Sequence, residues 1–146
     1  MYNFTKVFVL LALVVLFNNQ VVTGKKFKSE CAIAKELLKH GFPKDQLNDW
    51  VCLVMSESSG NTRAINKANA DGSIDHGLFQ INDRYWCEHG KKGKECNVNC
   101  KDLLKANISK AAKCAKKIYG VHGFNAWVGW KNKCQGGNAK SVQHCV

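Results

Sequence analysis

Residues 47–84, LNDWVCLVMSESSGNTRAINKANADGSIDHGLFQINDR, contain the change of periodicity that decides the fold. In the first third, Trp50, Leu53, Val54 and Glu57 recur three or four positions apart. That spacing lays them along one face of a helix over 47–58, with Gly60 as its stop. Beyond the glycine the helical period disappears. Asn69-Ala70-Asp71-Gly72 is turn chemistry, and the β-branched and aromatic residues around it predict a small antiparallel hairpin sheet within 66–84. A helix that hands over to a small sheet implies an α+β fold, with a cleft where the two parts meet.

Upstream, Ala34, Leu37 and Leu38 keep helical spacing between Glu30 and His40, and Gly41 is the stop. Downstream, residues 87–100 place three cysteines among glycines, lysines and asparagines, which reads as a cross-linked loop. A third helix, with lysines on its outer face, is expected over 108–119, with Asn107 or Ser109 as its cap. The aromatic tail 124–130 reads as a further short helix, and Phe42, Trp50 and Trp130 as core. With 146 residues, no internal repeat and no low-complexity linker, the chain is expected to hold one globular domain.

Residues 1–24 read as a secretory signal peptide. Lys6 precedes an apolar run from Val7 to Phe17, and Val22 and Gly24 suit a cut before Lys25. The run is too short to span a bilayer, which takes about 20 apolar residues. The mature domain is therefore 25–146, secreted and extracellular. In that oxidising setting the eight cysteines, Cys31, Cys52, Cys87, Cys96, Cys100, Cys114, Cys134 and Cys145, predict four disulfides whose pairing is open. A zinc site on Cys96, Cys100 and His89 finds no second close pair to complete four ligands. The net charge of +11 favours anionic partners without choosing among nucleic acid, membrane and bacterial surface.

Two carboxylates stand out. Glu57 shares the apolar face of Trp50, Leu53 and Val54 and sits in the last helical turn, at the negative end of the dipole. Desolvation and dipole both favour its protonated form, which a general acid requires, unless the helix end frays and turns the side chain to water. Asp75 follows the turn among polar neighbours, with Ser73 and nearby amides as candidate partners, although an acidic residue there can also be plain surface. One carboxyl on an apolar surface and one in polar surroundings is the pairing that glycoside hydrolysis uses.

Several segments together resemble the c-type lysozymes. They are Trp50-Val51-Cys52, Glu57-Ser58, the run Asp71 to Asn82, Trp86-Cys87, Cys114 to Ile118, and Asn125 to Trp130. The likeness covers essentially the whole mature chain, and lysozymes are themselves the type case for this carboxylate division. It implies a mainly helical domain with a small antiparallel sheet, a cleft between them and four disulfides. It also implies a monomeric muramidase that cleaves the β-1,4 bond between N-acetylmuramic acid and N-acetylglucosamine in peptidoglycan, with retention, for antibacterial defence or digestion. Chitin oligomers would be minor substrates.

By that resemblance Glu57 is the general acid and Asp75 the ionised partner, with Trp127 packed against the acid. Gln80, Asn82, Tyr85, Trp86 and Ala126 line the sugar cleft. Asn66 and Asn69 lie near Asp75, with Ala68 as a one-residue insertion between them. The implied disulfides join Cys31 to Cys145, Cys52 to Cys134, Cys87 to Cys100 and Cys96 to Cys114. The segment 120–123 is one residue shorter than usual and lacks an aspartate for an outer sugar. Calcium-binding relatives carry an aspartate cluster where this chain has Lys101-Asp102-Leu103-Leu104-Lys105, so neither a metal nor another cofactor is expected. His40, His76, His122 and His144 receive no catalytic role. Two alternatives are a non-catalytic sugar- or partner-binding protein of the same fold, and a cationic protein that kills by disrupting membranes. No nucleic-acid or membrane-spanning role is expected.

Overall fold

A computed structural model describes residues 23–146, so nearly all of the leader read over 1–24 lies outside the described residues. Helix α1 (Glu30–Lys39) starts where the Ser29 hydroxyl accepts the Ala32 N–H, and it buries Ile33, Ala34 and Leu37. Helix α2 (Leu47–Ser58) buries Leu47, Trp50, Val51, Leu53 and Val54. Its stop begins at Ser59, left-handed at φ 51°, and Gly60 continues the left-handed turn at φ 76°.

Trp50 is the hub of the helical part. Its ring centroid lies 4.7 Å from Phe42, 4.9 Å from Phe124, 5.3 Å from Tyr119 and 5.6 Å from Trp127. Phe42 and Trp50 are core as expected, and Trp130 is partly buried at the edge of the core, stacked on Phe124 at 5.0 Å.

The sheet has three antiparallel strands in the order β1 (Ile65–Asn66), β2 (Asp75–His76), β3 (Ile81–Asn82). Its register pairs Asn66 with Asp75 and Asp75 with Asn82, and on the other row Ile65 with His76 and His76 with Ile81. Directly opposed residues share a face, so Asn66, Asp75 and Asn82 stand in one row and His76 faces the other way. The sheet packs closely on the 3-10 helix Cys100–Leu104. A Cβ on Gly77 would lie 2.1 Å from the Leu103 carbonyl oxygen.

Helix α3 (Ser109–His122) runs three residues beyond the expected 108–119. Gly120 is absorbed into the helix, and the stop falls at Gly123, which has φ +63°. Neither expected cap lies at the N-cap position, which is Ile108, but the Asn107 side chain accepts both the N–H and the hydroxyl of Ser109. The tail expected as one helix over 124–130 is broken in two. A 3-10 turn, Gly123–Ala126, is followed by extended Trp127 and then by α4 (Val128–Lys133). The break comes at Trp127, whose indole is buried and donates to the Phe79 carbonyl at 2.8 Å.

Disulfides join Cys31 to Cys145, Cys52 to Cys134, Cys87 to Cys100 and Cys96 to Cys114, the pairing that the resemblance implies. The first two brace the helical part, and the last two tie the 87–100 loop to itself and to α3. Each typically stabilises by about 2–4 kcal/mol. All eight thiols are thereby used, which removes the cysteine ligands of the zinc reading. Among the described residues no helix is long and apolar enough to cross a membrane.

Candidate active site

Between the helices and the sheet runs a cleft of about 1180 Å³ that is lined by Glu57 and Asp75. All eight residues expected there also line it: Asn66, Asn69, Gln80, Asn82, Tyr85, Trp86, Ala126 and Trp127. Tyr85 and Val128 expose 60% and 62% of their surface at its walls, so apolar area faces the groove and is open to a flat partner.

Glu57 projects from the last turn of α2 and is half-buried. Its Oε1 accepts the backbone N–H of Gly129 at 2.9 Å, in the first turn of α4. A Cβ on Gly129 would stand 2.6 Å from that oxygen, so any larger residue there would push the Glu57 carboxyl out of this position. Burial raises the Glu57 carboxyl above its ordinary value, and the negative charge of Asp75 adds to the rise. The Gly129 amide and Lys133 pull the other way without reversing it. Trp127 lines the same cleft, while the polar contact to the acid comes from Gly129. Sequence reading did not reach Gly129, because no local pattern around it announces a distant carboxylate.

Asp75 lies in β2 under different conditions. Its Oδ2 accepts from the side-chain amides of Asn66 at 3.1 Å and Asn69 at 3.0 Å, and its Oδ1 from Asn82 at 2.7 Å. Of the expected partners the amides are present, as these three side chains, and Ser73 does not touch the carboxylate. Ser73 acts one step away: its hydroxyl accepts from Asn82 and donates to Asp71. The residue count between Asn66 and Asn69 does not separate them, since Ala68 N–H folds onto Asn66 Oδ1 and both amides still reach Asp75. Carboxylate oxygens that accept three such bonds suit the charged state.

Some cleft residues already have protein partners. Asn82 Oδ1 accepts the Arg84 N–H, and the Gln80 amide donates to the carbonyls of Ala64 and Gly77. Asp71, another cleft residue that sequence reading did not select, is held well below the usual carboxylate range by both hydrogen bonds from Ser73, with Arg84 adding to the effect. Outside the cleft, Asp102 pairs with Lys105 at 2.9 Å and Lys110 at 2.5 Å, so lysines occupy its carboxylate. His76 is buried on the far face of the sheet. Its pKa is lowered by burial, while neighbouring Asp83 opposes the change.

A protonation-prone carboxyl in apolar surroundings facing a hydrogen-bonded one across an open groove defines the class, a carbohydrate-cleaving hydrolase. The sequence model of the C-type lysozyme/alpha-lactalbumin family matches residues 25–145. The chain is 55% identical to a lysozyme of Bombyx mori over 129 residues, which are 88% of this chain and 91% of that protein. It is 46% identical to lysozyme c-1 of Anopheles gambiae over 140 residues, 96% and 99% of the two chains. Against the milk isozyme of lysozyme C from Bos taurus it is 43% identical over 144 residues, 93% and 97% of the two. The chain belongs to the C-type lysozyme/alpha-lactalbumin family, and within it is a glycoside hydrolase.

Proposed function

We propose that this protein is a secreted muramidase that cleaves the β-1,4 bond between N-acetylmuramic acid and N-acetylglucosamine in peptidoglycan. The observation that carries the reading is the contrast between Glu57, whose carboxyl is raised by burial, and Asp75, which accepts three side-chain amides. Glu57 protonates the leaving glycosidic oxygen as general acid. Asp75 stays ionised on the other side of the sugar and either forms the glycosyl intermediate or stabilises the oxocarbenium-like transition state. Water then completes hydrolysis with Glu57 as base, so the anomeric configuration is retained. Tyr85, Trp86 and Ala126 line the groove that receives the sugar rings, with chitin oligomers as poorer substrates.

Four disulfides suit an oxidising, extracellular site of action. The net charge of +11 supports approach to anionic bacterial envelopes, and defence is the role that suits it. The test is clearing of a bacterial cell-wall suspension by wild type beside Glu57→Gln, across pH and salt. Wild type should clear the suspension and the variant should not. Wild-type clearing by the variant would overturn the acid assignment. Killing of bacteria without clearing would move the function to membrane disruption.

A further inference from the structure

We propose that His76, Asp83 and His89 form a binding site for a single zinc ion, outside the catalytic cleft and independent of it. The ring nitrogens of the two histidines and a carboxylate oxygen of Asp83 lie within 4.8 Å of one another. None of the three residues lines the cleft. The proposal departs from the sequence expectation of no metal, which weighed calcium and, for zinc, His89 with Cys96 and Cys100, but not His89 with His76 and Asp83.

Three observations bear on it. First, His76 is only 5% exposed, and its Nδ1 is buried without a well-formed hydrogen bond, the ring having the Ile81 and Ile74 backbones close by. Buried polar nitrogens are rarely left so, and one that is calls for a ligand or another specific cause. Second, His89 Nε2 already sits 2.8 Å from Asp83 Oδ2, and the rings of His76 and His89 are 5.4 Å apart. A metal ion that replaced the shared proton would draw together ligand atoms that already lie within 4.8 Å of one another. Tetrahedral zinc, with bonds of about 2.0–2.1 Å, holds its ligand atoms roughly 3.3 Å apart.

Third, the donors are held from behind. Asp83 Oδ1 accepts the Ile74 N–H at 3.0 Å, which leaves Oδ2 facing the histidine. His89 follows two residues after Cys87, which is pinned to Cys100. Such support fixes ligand orientation in the way metal sites require. Among the described residues the other two close donor groups, Cys31 with His144 and Cys145, and His76 with Cys87 and Cys100, depend on disulfide sulfurs.

Two imidazoles and one carboxylate suit zinc and its late-transition neighbours, whereas calcium and magnesium take oxygen ligands. The His89 side chain is 57% exposed, so the ion has a route in from solvent and room for water as fourth ligand. Bound there, zinc would clamp the 87–100 loop to the sheet.

The test is calorimetric titration of zinc chloride into the mature protein, with histidine proton spectra recorded in parallel. One ion should bind per chain, and the ring signals of His76 and His89 should shift together while those of His40, His122 and His144 stay in place. Calcium chloride should give no binding. His89→Ala should weaken zinc at least about tenfold while clearing cell walls at the wild-type rate, because His89 is exposed and outside the cleft. Absence of binding at millimolar zinc would overturn the site. So would affinity unchanged in His89→Ala, or affinity lost in Glu57→Gln, which would move the ion to the cleft carboxylates.

Discussion

The two walls of the cleft are built from different materials. The helical wall is held by aromatic burial around Trp50, and it gives Glu57 a setting in which charge is disfavoured. The sheet wall has strands of only two residues each and is held by side-chain amides, paired loops and disulfides. It gives Asp75 a setting in which charge is solvated by protein. The lesson is that two chemically similar side chains receive opposite electrostatic settings from the way their walls are stabilised.

Four experiments break or sharpen that contrast. The largest effect is expected for Glu57→Gln, which should slow cell-wall clearing by about 10²–10⁴-fold. Its thermal stability at neutral pH should not fall. Because the folded-state pKa of Glu57 is raised, the native protein holds this proton more tightly than the unfolded chain does. The resulting stabilisation is fully present below the unfolded value and disappears as pH rises through the folded value. Glutamine removes a neutral-pH liability, so a large drop in melting temperature would contradict the account of a dry wall.

Next comes Trp50→Ala, which should cost about 3–5 kcal/mol in denaturant unfolding, since the residue is fully buried at the hub of the aromatic cluster. A loss below about 1 kcal/mol would mean that the helical wall does not depend on that cluster. Asn82→Ala deletes one of the three amides on Asp75 and should reduce clearing about tenfold, the worth of one hydrogen bond to a charged group at the low end of its range. Wild-type clearing would show that the amide row is dispensable. The smallest effect tests the coupling between the walls. In Asp75→Asn, the Glu57 carboxyl carbon, followed by NMR across pH, should titrate at lower pH than in wild type, because a neighbouring negative charge has been removed. An unmoved titration would separate the two groups electrostatically.

Much of the helical wall was legible in the sequence because burial leaves a period. Trp50, Leu53, Val54 and Glu57 announce their common face by spacing alone, and helix α2 has the bounds that spacing predicts. Helix α3 overran its predicted end because glycine weakens a helix without forbidding it, so Gly120 passed and Gly123 stopped the chain. The sheet wall was less legible. Strands of two residues carry no usable alternation, so neither the register nor the face of Asp75 followed from the residues. The resemblance supplied the right neighbours there, yet the structure gives Asn82 and Gln80 protein partners as well as places in the groove. Gly129 was out of reach because its contact with Glu57 spans 72 positions and involves only a backbone amide.

The pairing of Asn66, Asp75 and Asn82 makes the sheet a kind of reading frame. Side chains alternate strictly along a strand, so sliding β2 by one position would turn the carboxylate out of the groove and bring the imidazole of His76 in. A one-residue slip of β2 would therefore silence the protein while leaving every functional group in the chain, whereas the extra residue Ala68 in the loop before it is absorbed locally, its N–H folding onto Asn66 Oδ1.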